Sequence, residues 1–128
     1  MQIIKTLGVG VSAFLFATAA ANADCRDFFD FSEYKIDYTE LEGSPEPGRT
    51  RIFDFRITSR SVEDNCTIIT AKWEQWQVNG RACRRGFRFT AEKAGEGRIR
   101  GSGKCAGDFF NGEMRYVARP VFYRVSIY

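Results

Sequence analysis

The chain has 128 residues, with 19 basic and 16 acidic side chains and a net charge of +3, and it contains no histidine. The absence of histidine excludes Ser-His-Asp and Cys-His catalysis, histidine-dependent ribonuclease chemistry and histidine metal sites. The charge is uneven: residues 24–46 are strongly acidic, whereas residues 48–128 carry an excess of arginine. Either an acidic strand lies beside basic ones, or one face of the protein binds anions.

Residues 1–23 have the composition of a secretory signal peptide. A short basic start is followed by an apolar stretch and by the small-x-small cleavage pattern Ala21-Asn22-Ala23. The apolar stretch is shorter than the roughly 20 residues that a membrane-spanning helix needs. We therefore expect cleavage after Ala23, secretion, no membrane segment after cleavage, and one small domain over residues 24–128.

All four cysteines lie in the expected mature domain. They are Cys25, Cys66, Cys83 and Cys105. The chain has no C-x-x-C pair, so an exported protein with this pattern predicts disulfides rather than a metal site or another cofactor. Closing a loop of roughly 15 residues contributes about 3 kcal/mol in the chain-entropy model. Four cysteines permit three pairings, and the residues alone leave all three open.

The start of this domain is rich in aromatic residues. Residues 28–38 predict a strand in which Phe31 and Tyr34 fall on different parities. A bulge near Ser32-Glu33 would bring both sets of aromatic residues to one face. Residues 42–48 hold two prolines and two glycines and predict a loop.

The next stretch alternates between apolar and polar residues. Residues 51–58 predict a half-buried strand. The residues on its buried face are Phe53, Phe55 and Ile57. Residues 59–65 are polar and predict a turn.

The segment from Cys66 to Cys83 holds both tryptophans of the chain. Residues 67–71 predict a strand because they are largely β-branched. Asn79-Gly80 predicts a hairpin turn, since a type I′ turn needs positive φ at both central residues. Trp73 and Trp76 are three residues apart and would face opposite sides of a regular strand. One would then be exposed, unless both pack as core or lid.

Short strands and turns follow up to the C-terminus. Residues 87–91 predict a strand with its phenylalanines inside, and residues 98–100 predict a shorter one. Asn111-Gly112 predicts a second hairpin turn, and residues 121–128 alternate to the end of the chain. Eight or so short strands at this spacing predict an all-β fold, a small antiparallel β-barrel or sandwich stapled by disulfides.

The order of aromatic residues and cysteines is similar to that of a known family. Its features here are Phe31-Ser-Glu-Tyr34, Phe53-Asp-Phe-Arg-Ile57, Cys66, Trp73, Cys83, Phe87-Arg-Phe89 and Cys105. This layout resembles the Alternaria major-allergen-like family of fungal secreted β-barrels, several members of which act as effectors or elicitors on plants. The resemblance implies a disulfide between Cys66 and Cys83, which leaves Cys25 to pair with Cys105.

An arginine cluster around Cys83 is the main candidate for a partner-binding surface. Its members are Arg81, Arg84, Arg85 and Arg88, with Arg98 and Arg100 on a neighbouring strand. Such a stripe would suit an acidic protein, a glycan or a phosphate backbone. Interface hot spots favour Trp as well as Arg, which adds Trp73 or Trp76 as a possible anchor. We expect no nucleic-acid partner, because the aromatic residues alternate as a core does and offer no row of exposed rings for base stacking.

Two further features have simpler alternatives. The acidic stretch could supply the carboxylate pair of a glycan hydrolase, although a solvated strand face is the simpler interpretation, and we expect no enzyme activity. Its carboxylates are Asp24, Asp27, Asp30, Glu33, Asp37 and Glu40. Asn65-Cys66-Thr67 fits the N-glycosylation pattern, where modification would compete with closure of the adjacent disulfide.

The resemblance implies a secreted fungal effector or elicitor that binds a host protein in the plant apoplast without enzymatic activity. The alternative is a bacterial periplasmic or secreted inhibitor of a lysozyme-type enzyme, since small β-barrel inhibitors share this size and an export signal. A carboxylate-dependent glycan hydrolase comes third. The residues alone indicate a secreted β scaffold and do not fix its oligomeric state.

Overall fold

A computed structural model describes residues 24–128, and the predicted signal peptide over residues 1–23 lies outside the described part. Eight antiparallel strands form one closed barrel in which each strand pairs with its sequence neighbours and the last pairs with the first. The strands are β1 (Glu33–Glu40), β2 (Thr50–Glu63), β3 (Cys66–Trp73), β4 (Trp76–Cys83), β5 (Gly86–Lys93), β6 (Gly97–Ala106), β7 (Phe109–Tyr116) and β8 (Phe122–Ile127). The all-β prediction is confirmed, and of its two forms the barrel is the one adopted.

A short helix, α1 (Cys25–Phe28), closes one end of the barrel. The Asp24 carboxylate caps it by accepting a hydrogen bond from the Arg26 N–H at 2.9 Å. Just beyond α1, Phe29 is fully buried, with its ring centroid 4.5 Å from that of Phe87 inside the barrel. α1 and Phe29 therefore plug this end of the barrel.

The predicted strand over residues 28–38 begins later than expected. β1 starts at Glu33 and the predicted bulge is absent, because α1 and a bend occupy the preceding residues. Phe31 is 71% exposed whereas Tyr34 is buried, so the prediction that a bulge brings both to one face is wrong. The Tyr34 hydroxyl fixes the bend, since it donates to the Phe28 carbonyl at 2.8 Å and accepts from the Phe31 N–H at 2.9 Å.

The polar turn predicted over residues 59–65 is also wrong for most of its length. β2 continues to Glu63, and only residues 64–65 form the turn to β3. The register shifts between Ile57 and Ser59, so Thr58 is the extra residue of a β-bulge. Beyond the bulge, Arg60 donates hydrogen bonds to the Phe29 carbonyl at 2.6 Å and to the Phe31 carbonyl. The long strand thereby fastens the segment that follows α1.

Both Asn-Gly dipeptides lie within strands rather than at turns, which corrects the two hairpin predictions. Asn79-Gly80 is in the middle of β4, and Asn111-Gly112 is in β7. The β3–β4 hairpin instead turns at residues 74–75. Gly80 is needed for space, because a Cβ there would lie 2.4 Å from the ring of Phe87. At Gly112 a Cβ would lie 2.2 Å from a backbone oxygen of β6.

Side chains fill the interior of the barrel, as expected for eight strands. The largest fully buried side chains include Trp73, Phe55, Phe87 and Phe110. At the end opposite α1, Tyr123 packs edge-to-face on Tyr38 with ring centroids 5.3 Å apart. Burial there raises the pKa of Tyr123 to about 12, so its phenol stays protonated far above neutral pH.

Two disulfides form, with the pairing that the family resemblance implied. Cys25–Cys105 ties α1 to the inside of β6 across 80 residues, and both of its cysteines are buried. Cys66–Cys83 bridges β3 and β4 across 17 residues on the outer face of the barrel. Within residues 24–128, no helix has the length and apolar character that crossing a membrane requires.

The two disulfides should contribute unequally to stability. In the chain-entropy model, a bridge over 80 residues is worth about 4.5 kcal/mol and one over 17 residues about 3 kcal/mol. We expect the Cys25→Ser/Cys105→Ser variant to unfold at lower urea concentration than Cys66→Ser/Cys83→Ser, with early hydrogen exchange in α1. Equal midpoints, or the reverse order, would show that α1 is not a structural plug.

The mid-strand position of Asn79-Gly80 gives a paired prediction. Gly80→Ala should lower the free energy of unfolding by about 1–3 kcal/mol, because the methyl group overpacks against Phe87. Asn79→Thr should be neutral or stabilising, because this exposed side chain lies between Thr70 and Thr90 of the neighbouring strands. Urea unfolding of both variants checks the pair. A large loss of stability for Asn79→Thr would indicate that Asn79-Gly80 forms a turn.

Candidate functional site

The predicted arginine cluster divides between two places on the surface. Arg81 on β4 and Arg88 on β5 lie directly opposite each other in the register and point outward. Arg84 and Arg85 form the exposed two-residue turn between these strands, beyond the Cys66–Cys83 bridge. The cluster is therefore a pair on the barrel wall and a separate pair at a hairpin tip.

The wall pair belongs to a larger surface, which we call the basic groove. It is a concavity of about 850 Å³ on the outer face, and its arginines are Arg81, Arg88, Arg100 and Arg115. Arg100, which the sequence placed on a neighbouring strand, lies on β6. Sequence reasoning missed Arg115, because only the β6–β7 register brings it opposite Arg100.

The four arginines form two like-charged cross-strand pairs. Arg81 faces Arg88, and Arg100 faces Arg115. Like charges directly opposite each other on neighbouring strands destabilise a sheet. Arg81 is compensated by an ion pair with Glu63 at 2.7 Å. Within the described residues, the other three make no ion pair.

Arg98 is one of the arginines on the barrel wall that pair with a carboxylate. It lies two residues before Arg100 on β6 and pairs with Glu92 of β5 at 2.5 Å. Arg56 and Glu33 form a similar pair at 3.6 Å between β2 and β1. The basic groove differs from these pairs because its arginines face each other across the strands instead of facing a carboxylate.

Three carboxylates line the basic groove, and none of them forms an ion pair with Arg88, Arg100 or Arg115. They are Glu42, Glu63 and Glu113. Glu63 is held by Arg81, and Glu113 lies opposite Arg124 of β8 in the register. Arg88, Arg100 and Arg115 therefore have no ion-pair partner among residues 24–128 and are available to a ligand.

The floor of the groove depends on glycine. Gly80 and Gly101 line it, and both lie on the inward parity of their strands. A Cβ on Gly101 would lie 2.3 Å from the ring of Phe89, so only glycine leaves room for this ring directly beneath the strands. Glycine within a strand permits close approach and sharp bending, which fits a barrel wall that is concave on its outer side.

The two tryptophans are not surface anchors. Trp73 and Trp76 are 1% and 5% exposed, and their rings stack with centroids 5.6 Å apart. The prediction that they face opposite sides is wrong, because residues 74–75 form a tight turn that places the two rings opposite each other on neighbouring strands. Core packing for both, the other possibility, is what the structure shows.

The candidate carboxylates of a hydrolase lie away from the basic groove. They lie within or next to α1 and β1, and none of the six lines the groove. A hydrogen bond from the Arg26 side chain holds the pKa of Asp24 below its ordinary value. Glu40 accepts a hydrogen bond from the Glu46 N–H at 2.9 Å. Across residues 24–128, no three acidic or cysteine side chains converge as a metal site would need.

The predicted glycosylation residue lies in the turn before β3. Asn65 is exposed, with φ of 65°, and its carbonyl accepts a hydrogen bond from Arg26 at 3.3 Å. It lies beside the Cys66–Cys83 bridge, about two residues from the Glu63 end of the groove. Its modification stays a prediction.

Removing one charge of an uncompensated pair should stabilise the fold. We expect Arg100→Gln to raise the free energy of unfolding by about 0.2–1 kcal/mol, because it relieves the repulsion with Arg115. The gain should shrink at high salt as the charges are screened. The control, Arg98→Gln on the same strand and face, loses its Glu92 pair and should not gain stability. Urea unfolding at low and high salt checks this, and a loss for Arg100→Gln would contradict the repulsion.

Comparison with known proteins leaves this geometry without a relative. The chain matches no family model, no curated protein and no solved structure. Two features then bear on function, the basic groove and the resemblance in aromatic and cysteine positions.

Proposed function

We propose that this protein is an exported, non-enzymatic binding protein that docks an acidic surface of a host protein in its basic groove. The observation that carries the proposal is the set of three uncompensated arginines, Arg88, Arg100 and Arg115, on one concave face. Arginine binds carboxylates with fixed, bidentate geometry and is frequent in interface hot spots.

The outer position of the groove supports a macromolecular partner. Buried aromatic side chains fill the barrel interior, including Trp73, Phe87 and Phe110. A closed barrel also has no free strand edge to which a partner could add a strand. Recognition must then depend on outward side chains, and the basic groove brings three arginines without an ion pair onto one face.

The family resemblance supplies the finer part of the proposal. It suggests a fungal effector or elicitor acting in host–pathogen interaction, with a plant defence protein as the partner in the apoplast. The signal-peptide pattern of residues 1–23 and the two disulfides support secretion, because disulfides persist in oxidising compartments. In this proposal the virulence role follows from binding alone.

The hairpin tip supports a second candidate, the lysozyme-type inhibitor of a bacterial protein. Arg84 and Arg85 project from a turn that the Cys66–Cys83 bridge holds directly before it. Glycosidases of this type cleave with two carboxylates in a cleft. A rigid tip with two guanidinium groups has the charge to block such a cleft.

Matched charge reversals separate the two candidates. Arg88→Glu/Arg100→Glu changes the groove, and Arg84→Glu/Arg85→Glu changes the tip by the same net charge. We expect the groove variant to lose at least about tenfold affinity for a protein retained from plant extract, since like-charge contacts across an interface cost several kcal/mol. Pull-down followed by quantitative binding measures this, and the control is that neither variant melts at a lower temperature than the original protein.

Other outcomes of the same experiment are informative. Lysozyme inhibition that only the tip variant loses would favour the inhibitor. Carbohydrate turnover by the purified protein would favour the hydrolase, and retention of the host protein by both variants would rule out both surfaces.

A further inference from the structure

The side chains of the basic groove follow a regular order of apolar, basic and hydroxyl groups across the strands. One end begins with Ile68 of β3, which lies opposite Arg81 in the register. The Arg81–Arg88 pair follows, and Arg88 is next to Ser102 of β6. This half of the groove therefore runs from an apolar side chain to two guanidinium groups and then to a hydroxyl.

The other half lies in the neighbouring cross-strand row, two residues along each strand, and has the reverse order. Thr90 of β5 lies opposite Arg100, and Arg100 lies opposite Arg115. Arg115 in turn faces Phe122 of β8, which is 39% exposed. A path from β3 to β8 that changes rows between β5 and β6 thus meets apolar, basic, hydroxyl, basic and apolar groups, and it passes Glu113, which lies opposite Ser102 on β7.

The span of this series sets the size of a matching ligand. Five strand intervals of about 4.8 Å and an offset of two residues along the strands separate Ile68 from Phe122, which makes the path along the barrel wall roughly 25 Å long. An extended peptide advances about 3.3 Å per residue, so about seven or eight residues cover the path. Because the barrel has no free edge, such a peptide would cross the strands and be held by its side chains.

The apolar ends distinguish a peptide from other polyanions. Sulfated glycans have no alkyl side chains with which to contact Ile68 and Phe122. Single-stranded nucleic acid stacks its bases on rows of exposed rings, whereas only one of the aromatic residues lining this groove, Phe122, is strongly exposed. A polyanion of either kind would use the arginines and leave both ends without a partner.

We propose that the basic groove binds an extended acidic peptide segment with the order apolar, acidic, polar, acidic, apolar. One acidic group lies at each arginine pair, and the apolar side chains contact Ile68 and Phe122. This inference rests on the proposed function and specifies which part of the host protein the groove would bind.

A synthetic peptide tests the inference directly. The probe is a fluorescein-labelled peptide of about eight residues, Leu-Asp-Asp-Ser-Ser-Asp-Asp-Leu, titrated with the purified protein and followed by fluorescence anisotropy. Two control peptides replace the aspartates by asparagine or the leucines by serine. We expect saturable binding that weakens at least about tenfold with asparagine and several-fold with serine.

Three variants of the protein should change the affinity for the peptide, two by lowering it and one by raising it. Arg88→Gln and Arg100→Gln should each weaken peptide binding about tenfold, as loss of an arginine hot spot does. Glu113→Gln should tighten it a few-fold, because this carboxylate flanks the groove and repels an acidic ligand. All three side chains are exposed, and melting temperatures check that the fold is intact.

Each remaining outcome overturns a defined claim. Heparin or a single-stranded oligonucleotide that binds as tightly as the peptide, with no effect of the leucines, would make the groove a general polyanion site. If the peptide fails to bind while Arg88→Glu/Arg100→Glu still loses the host protein, the peptide inference is wrong and the proposed function stands. If that variant retains the host protein, the proposed function itself is wrong.

Discussion

Complementarity between glycine and phenylalanine inside the barrel is the constraint on which the rest of the structure depends. The ring of Phe87 lies against Gly80, and the ring of Phe89 lies against Gly101, at positions where a Cβ would come within about 2.4 Å of a ring atom. An eight-stranded barrel has an interior just wide enough for its side chains. These two rings fit there because the facing residue has no side chain. The same glycines line the concave outer face, so core packing and the groove have one origin.

Local periodicity was enough to predict the parts of the fold whose faces are fixed by burial. The alternation of Phe53, Phe55 and Ile57 predicted the core face of β2, and Phe87 and Phe89 were correctly placed inside. A period of two residues needs no knowledge of neighbouring strands. The disulfide pairing came from the family resemblance, because cysteine spacing leaves three pairings open.

The failed predictions depended on partners distant in the sequence. Asn79-Gly80 has the local signature of a turn, yet Gly80 is required opposite Phe87, and the actual turn at residues 74–75 carries no such signature. Residues 59–63 look like a polar loop, but pairing with β3 extends them as strand. For the same reason Arg81, Arg88 and Arg100 could be predicted as basic candidates, whereas Arg115 joins them only through the register of β6 and β7.

The arginine pairs of the groove lie where the requirements of folding and of binding conflict. A barrel wall is most stable when opposite charges face each other across strands, as Arg98 and Glu92 do. The Arg100–Arg115 pair breaks this rule one step further along the same strand. Because a closed barrel has no free edge, it recognises a partner through outward side chains. Side chains that already pair with one another are less available to bind that partner. Repulsion within the groove is therefore the expected cost of keeping guanidinium groups available for an acidic ligand.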